Sequence, residues 1–212
     1  MPDFLIAHQT PTLLIKMKYP KKFDGVALCI GAMAPDFNGF IDLFTTLEIR
    51  RISHSLLGLF IWTLPLTLIL TIIFSRYIGP WISKFAKKDN ILFYPLKYFG
   101  MDKLLYLKNK KFNRRFFIIA SISAIVGGFT HLILDLPSHQ YIELFYPWAL
   151  LNYPDLFSIP LIIFKTINLG PREFIITQFT IIWIIEDIIF IITTLYILRY
   201  IKSHNLISKW SA

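Results

Sequence analysis

Two runs of about 20 mostly apolar residues, His54 to Phe74 and Phe116 to Leu136, are each long enough to cross the hydrocarbon core of a bilayer as a helix. A third, Phe174 to Ile201, is longer and spans with some tilt. Val26 to Phe40 is shorter, about 15 residues, and reads as a partial or irregular span. Thr10-Pro11 predicts a capped short helix running to Met17, because Thr is an acceptable N-cap and Pro fits the first turn. Leu156 to Ile167 is apolar but broken by Pro160, and predicts a re-entrant or interfacial segment. The expected fold class is therefore all-α: a polytopic helical membrane protein with about four membrane segments plus short re-entrant or interfacial helices. At 212 residues a single domain covering 1–212 is expected.

Composition matters here for what it excludes. With 55% hydrophobic and 17% aromatic residues, the chain is too apolar for a soluble domain of this length. Its net charge of +9 would suit nucleic acid if the cations formed a stripe, but they gather in connecting segments. Half of them lie between Arg76 and Arg115, which the positive-inside rule places in the cytoplasm. Arg199, Lys202 and Lys209 put the C-terminus on the same side, and Lys16, Lys18, Lys21 and Lys22 fit a short turn there. Arg50-Arg51, on the other side, dissents. The expectation is an integral protein of the cell membrane whose partners are membrane lipids and not nucleic acid; its oligomeric state is not legible. Met1 to Gln9 lacks the features of a cleavable signal peptide. The single Cys29 excludes an intrachain disulfide and a thiolate zinc cluster, and is expected as a small buried core residue.

Imidazole and carboxylate are costly in or near hydrocarbon, so their presence there points to function. His131 and Asp135 lie four apart on one expected helix and share a face. Alone, that spacing is equally met by a hydrogen-bonded pair near the interface. His54 opens one span, and Asp36 follows Pro35, which breaks the preceding segment and turns the acid toward a cavity. His8 precedes the first helix. With the basic loop inside, Asp36, His54, His131, Asp135 and His139 all fall at the outer ends of their helices. Neutral His plus Asp suits zinc first, with manganese or iron as alternatives. Pro137 should end the helix, leaving His139 to fold back over the site as a catalytic or substrate-facing group. Glu186-Asp187 lie in the last span. Counting from Pro171, Glu186 falls deeper than His131, on a cavity floor or in a polar network with Ser121, Ser123 or Thr130.

Ala7-His8-Gln9, Gly31-Ala32-Met33-Ala34-Pro35-Asp36 and His54-Ser55-Leu56-Leu57-Gly58, continued by Gly128-Phe129-Thr130-His131, Asp135 and Ser138-His139, resemble a family of small multi-pass membrane proteins of unknown function. The same order of residues is similar to inner-membrane-associated metal-dependent hydrolases, and more distantly to the helical zinc-dependent phospholipase C fold. The resemblance covers roughly the first 75 residues and Gly127 to His139. Leu134 stands where the family usually has Trp before the second Asp. It implies a helical metallohydrolase with His8, Asp36, His54, His131 and Asp135 as ligands, by analogy of fold.

The leading expectation is a metal-dependent hydrolase with its site at the outer membrane face, cleaving a phosphoester or acyl bond of a lipid. The alternative is a non-catalytic ion or proton carrier using the intramembrane acids Glu186 and Asp187. A scaffold held to acidic lipids by the basic loop explains that loop but not the histidines.

Overall fold

A computed structural model describes residues 6–42, 49–88, 90–138, 142–148, 160–169 and 172–207. Three of its helices are long and apolar enough to cross a membrane: α3 (Leu56–Ala86), α4 (Arg114–Ser138) and α5 (Gln178–Ser203). Among the shorter helices that precede them are α1 (Gln9–Lys18) and α2 (Gly25–Gly31). The segment 26–40 is irregular, as its length suggests. α2 ends after seven residues, and the chain continues as a 3-10 turn at Pro35–Phe37 and a short helix at Asn38–Asp42. It supplies no fourth membrane-length helix.

Local chemistry fixes most of the helix starts. The Asp24 carboxylate accepts from the Ala27 amide at 2.9 Å and caps α2. Ser55 Oγ accepts from Gly58 N at 3.0 Å at the head of α3, and Asn113 Oδ1 from Phe116 N at 3.0 Å at the head of α4. Thr177 forms a capping box with Thr180 at the head of α5. Thr10 behaves otherwise than predicted. α1 begins at Gln9 with no side-chain cap, and Thr10 Oγ1 instead meets Thr194 Oγ1 at 2.8 Å and donates to Phe190 O at 3.0 Å. That bond pins the first helix to the last.

The all-α expectation is corrected by an antiparallel hairpin, β1 (Ile163–Leu169) with β2 (Arg172–Thr177), which pairs Thr166 with Ile175 and carries a register shift between Ile163 and Lys165. The described part of the Leu156 to Ile167 segment is thus extended and not re-entrant helix. Residues such as Ile163, Ile167, Ile175 and Ile176 suit strands as well as spans, because β-branched side chains pack well on a pleated surface. The hairpin consumes the first residues of what reads in sequence as one long span.

Packing between helices relies on small residues, as expected where no hydrophobic force drives helices together. A Cβ on Gly31 would stand 2.7 Å from Ala124 O, and one on Gly127 would collide with Leu28 O. α2 and α4 therefore cross backbone to backbone. On α3, Leu59, Thr63, Thr67, Thr71, Ser75, Gly79 and Ser83 repeat every four residues and are all buried. A helix of 3.6 residues per turn would carry that repeat off its face. Two π-helical turns, Leu59–Thr63 and Phe74–Ile78, take up the surplus and keep the small side chains inward. The opposite surfaces are apolar and exposed, as at Ile69 and Ile73 on α3 and Ile185 and Ile192 on α5.

The close crossing gives a direct expectation. Gly127→Ala should lower the unfolding temperature of the detergent-solubilised protein, by about 1–3 kcal/mol of overpacking strain. Gly39→Ala, where an added Cβ meets nothing within 4 Å, should leave it unchanged or higher. Equal melting of the Gly127 variant and wild type would contradict the crossing.

Candidate metal centre

The site begins where α2 stops. Pro35 has no amide hydrogen, and the Asp36 amide bonds to Met33 O at 3.1 Å in 3-10 fashion instead of reaching Ala32 O. The Ala32 carbonyl is left available, and the Gly31–Ala124 and Gly127–Leu28 crossings bring it against α4. His131 Nδ1 lies 2.8 Å from it. A carbonyl only accepts, so Nδ1 carries the proton and Nε2 points away as a lone pair. His54 is held in a similar way. It follows the short helix Ile49–Ser53, and its Nδ1 sits 2.9 Å from Ser53 Oγ, whose own hydroxyl donates to Arg50 O at 3.3 Å. Both rings thus present Nε2 inward, the arrangement that outer hydrogen bonds impose on metal-ligating histidines.

The two Nε2 atoms are 3.4 Å apart. Asp135 Oδ2 lies 3.1 Å from His131 Nε2 and 3.4 Å from His54 Nε2. Asp36 Oδ1 lies 3.5 and 3.4 Å from the same two nitrogens. Donors about 2.0–2.2 Å from a tetrahedral zinc stand roughly 3.3–3.6 Å apart, so each carboxylate closes a triangle of nearly the size of one coordination face. His8 joins from α1: its Nε2 is 3.8 Å from Asp135 Oδ1, and its ring centroid is 4.2 Å from that of His131. Two overlapping sets with metal-ligand spacing result, His8–His131–Asp135 and Asp36–His54–His131.

Burial makes the arrangement expensive without a cation. His131 and Asp135 are 0% exposed, and His8 and His54 only 6% and 3%. Asp36 Oδ2 is buried with no hydrogen-bond partner among the described residues. Buried carboxylates and lone pairs facing one another need a proton or a metal between them. The donor set, three imidazoles and two carboxylates with no thiolate, suits zinc, iron or manganese.

All five residues singled out as ligands come together, spread over 128 positions of sequence. His8, just ahead of α1, is buried. His139 lies outside the described residues. The placement of Glu186 and Asp187 is corrected. α5 starts at Gln178, not near Pro171, so Glu186 lies only about 12 Å along the helix at 1.5 Å per residue. Both acids line one small cavity with His8, Leu134 and Ser138, at the level of the candidate ligands. Ser123 and Thr130 bond elsewhere, to Ile119 O and Gly127 O. The hairpin that displaces these acids leaves no strand signal of its own in sequence, because its apolar residues continue the run of α5.

The site stands at the end of α3 and α4 away from the basic segment, since α3 begins beside His54 and α4 ends beside Asp135. Arg51, the cation out of keeping with the charge rule, pairs with Glu143 at 2.9 Å on that side.

Neither the curated proteins nor the solved structures include a match to this chain. One family model does match, over residues 1–201, and so takes in the basic segment and α5, which carry little of the motif resemblance. The histidine and aspartate motifs, the three membrane-length helices and this match agree: the chain belongs to the family described as Domain of unknown function (DUF4184).

Proposed function

We propose that the chain is a membrane-embedded, metal-dependent hydrolase whose His/Asp site opens at the outer face of the membrane and acts on a phosphoester or acyl bond of a lipid. The observation that carries the reading is the pair of Nε2 atoms on His54 and His131, each oriented by its own Nδ1 bond and faced by two carboxylates at 3.1–3.5 Å. A divalent cation bound there, zinc first, supplies Lewis acidity and lowers the pKa of water toward neutrality. The protein's part is to hold the donors and set their protonation. Ala32 O and Ser53 Oγ keep the imidazoles in the tautomer that coordinates, while Asp36 and Asp135 balance the cation's charge. Asp135 Oδ1, turned toward His8, gives a route by which that imidazole takes up or returns a proton during hydrolysis. His139, just past α4, is the candidate catalytic group outside this set.

The outward orientation rests on the basic segment between α3 and α4 and on Arg199 and Lys202 at the end of α5. A site at the lipid boundary meets lipid headgroups before any soluble substrate. The same donors admit a second reading, in which protonated histidines replace the metal and the buried Asp187 extends a proton path. Metal content separates the two.

Elemental analysis of the purified protein should find stoichiometric divalent metal, reduced to background by His131→Ala or Asp135→Ala with membrane insertion intact. A metal-free wild type that still carries protons across vesicles would favour the carrier. Ser53→Ala, which touches no metal, should weaken metal affinity about 10–100-fold, as loss of an orienting partner does. Unchanged affinity in a competitive chelator titration would remove Ser53 from this role. Cysteines introduced at Lys87 and Ser203 in a Cys29→Ser background should resist an impermeant thiol reagent in intact cells. Labelling of either from outside would invert the orientation and the face on which the site opens.

A further inference from the structure

The segment from Arg76 to Arg115 carries half of the 22 basic residues and only two of the 13 acids, so its surplus alone equals the net charge of +9. Three of its cations meet at one open groove of about 850 Å³, between the far end of α3 and the 3-10 helix Met101–Asn109. The small-residue repeat of α3 builds this groove. A Cβ on Gly79 would stand 2.9 Å from Leu107 Cδ1, and Ser83 Oγ donates to Asp102 O at 2.6 Å, so the 3-10 helix is seated on that face. The neighbouring flank of α3 is left open. Tyr77, Trp81 and Lys84, four and three residues apart, share it, with Arg76 at its membrane-side end. Leu105 and Lys108, one 3-10 turn apart, form the facing wall.

Depth decides what this groove meets. From Leu56 to Arg76, α3 covers about 30 Å at 1.5 Å per residue, the thickness of the hydrocarbon core. No charged residue lies between the two, and Arg114-Arg115 open α4 at the same boundary. The groove therefore opens at the level of lipid headgroups. Tyr77 and Trp81 are 66% and 61% exposed there, where amphipathic rings settle, and the exposed Ile73 and Ile69 continue their line toward the bilayer centre. Arg76, Lys84 and Lys108 are exposed and make no hydrogen bond or ion pair among the described residues. No acid is among the described residues that line the groove. The cavity along α2 differs in this respect. Its Lys110 is paired with Asp24, its Lys16 donates to Pro20 O and Phe23 O, and Cys29 is a half-buried wall residue there and not the core residue its sequence neighbours suggest.

We propose that the groove between α3 and the 3-10 helix seats the headgroup of one anionic phospholipid of the inner leaflet, its phosphate among Arg76, Lys84 and Lys108 and its acyl chains along Ile73 and Ile69. The leaflet follows from the orientation set by the basic segment, and nothing in the proposal depends on a metal at the other end. Basic pockets beside membrane helices on the cytoplasmic side hold anionic headgroups in this way. The ammonium of a zwitterionic lipid would meet three like charges and no acid. Inorganic phosphate has no chains for the isoleucines and aromatic rings to meet.

Native mass spectrometry of the full chain in detergent, titrated with phosphatidylglycerol, phosphatidylcholine or inorganic phosphate, tests this. One phosphatidylglycerol per chain is expected, with phosphatidylcholine weaker and phosphate alone not retained. Lys84→Ala and Lys108→Ala should each weaken phosphatidylglycerol about 5-fold, the worth of one basic residue near an anionic headgroup, and Lys108→Arg should bind as the wild type does. Lys87→Ala removes an exposed cation of the same segment that does not line the groove, and should leave retention unchanged. Equal retention of the two lipids, or full retention by Lys84→Ala and Lys108→Ala, would overturn the proposal. An equal loss with Lys87→Ala would do so as well, because it would show diffuse surface charge in place of a groove. Phosphate retained as firmly as phosphatidylglycerol would overturn it in favour of a site for soluble anions.

Discussion

Backbone contact between α2 and α4 is the constraint on which the rest of the molecule depends. Gly31 against Ala124, and Gly127 against Leu28, leave no room for a side chain on either glycine. That proximity lets an α2 carbonyl, Ala32 O, hold an imidazole on α4. It also sets the distance from Asp36, just beyond α2, to His131. Any substitution that separates the two helices moves a candidate ligand, its orienting bond and its neighbouring carboxylate together. Packing and chemistry are here one interaction, because the small residues that permit the crossing lie one turn before the residues that use it.

The interior departs from the usual division of a protein into greasy core and polar surface. Thr63, Thr67, Thr71 and Ser75 are buried, while isoleucines on α3 and α5 face outward. In a bilayer this inversion costs little, since lipid tails accept the isoleucines as readily as a core would, and small hydroxyl residues allow close helix contact. The π turns of α3 belong to the same solution. They keep a four-residue repeat on one face of a helix whose natural period is shorter. Both ends of the bundle then hold charge next to closely packed walls, histidine and aspartate at one end and lysine and aspartate at the other.

How far the sequence speaks for the fold depends on what signal each element leaves. Apolar length marks α3 and α4 well, because crossing hydrocarbon is a requirement on composition alone. The His131–Asp135 spacing and the break at Pro35 mark the site, since both follow from helix geometry and a missing amide hydrogen. The charge rule brings distant residues to one end without any contact information, which is why His54 and Asp36 are legible as neighbours of His131. The hairpin is not legible. Its isoleucines continue the apolar run of α5, and that error shifts Glu186 and Asp187 to a false depth. The hold of Ala32 O on His131 is invisible for another reason: a main-chain carbonyl has no letter of its own. Thr10 shows the converse, a residue whose local preference for capping yields to a long-range bond with Thr194.

That bond ties the chain's beginning to its last helix. Thr10 and Thr194 meet at 2.8 Å across 184 positions, and Thr194 Oγ1 also reaches Ile6 O at 3.3 Å, so the residues on both sides of His8 are anchored to α5. During synthesis α2, α3 and α4 leave the ribosome before α5 does. Asp36, His54, His131 and Asp135 can gather at that stage, but His8 has no seat until α5 is delivered. The centre is therefore completed only once α5 is in place and not when α4 is. A chain stopped short of α5 would hold four of the five groups and lack the one that closes the cluster, which separates insertion into the bilayer from the acquisition of a finished site.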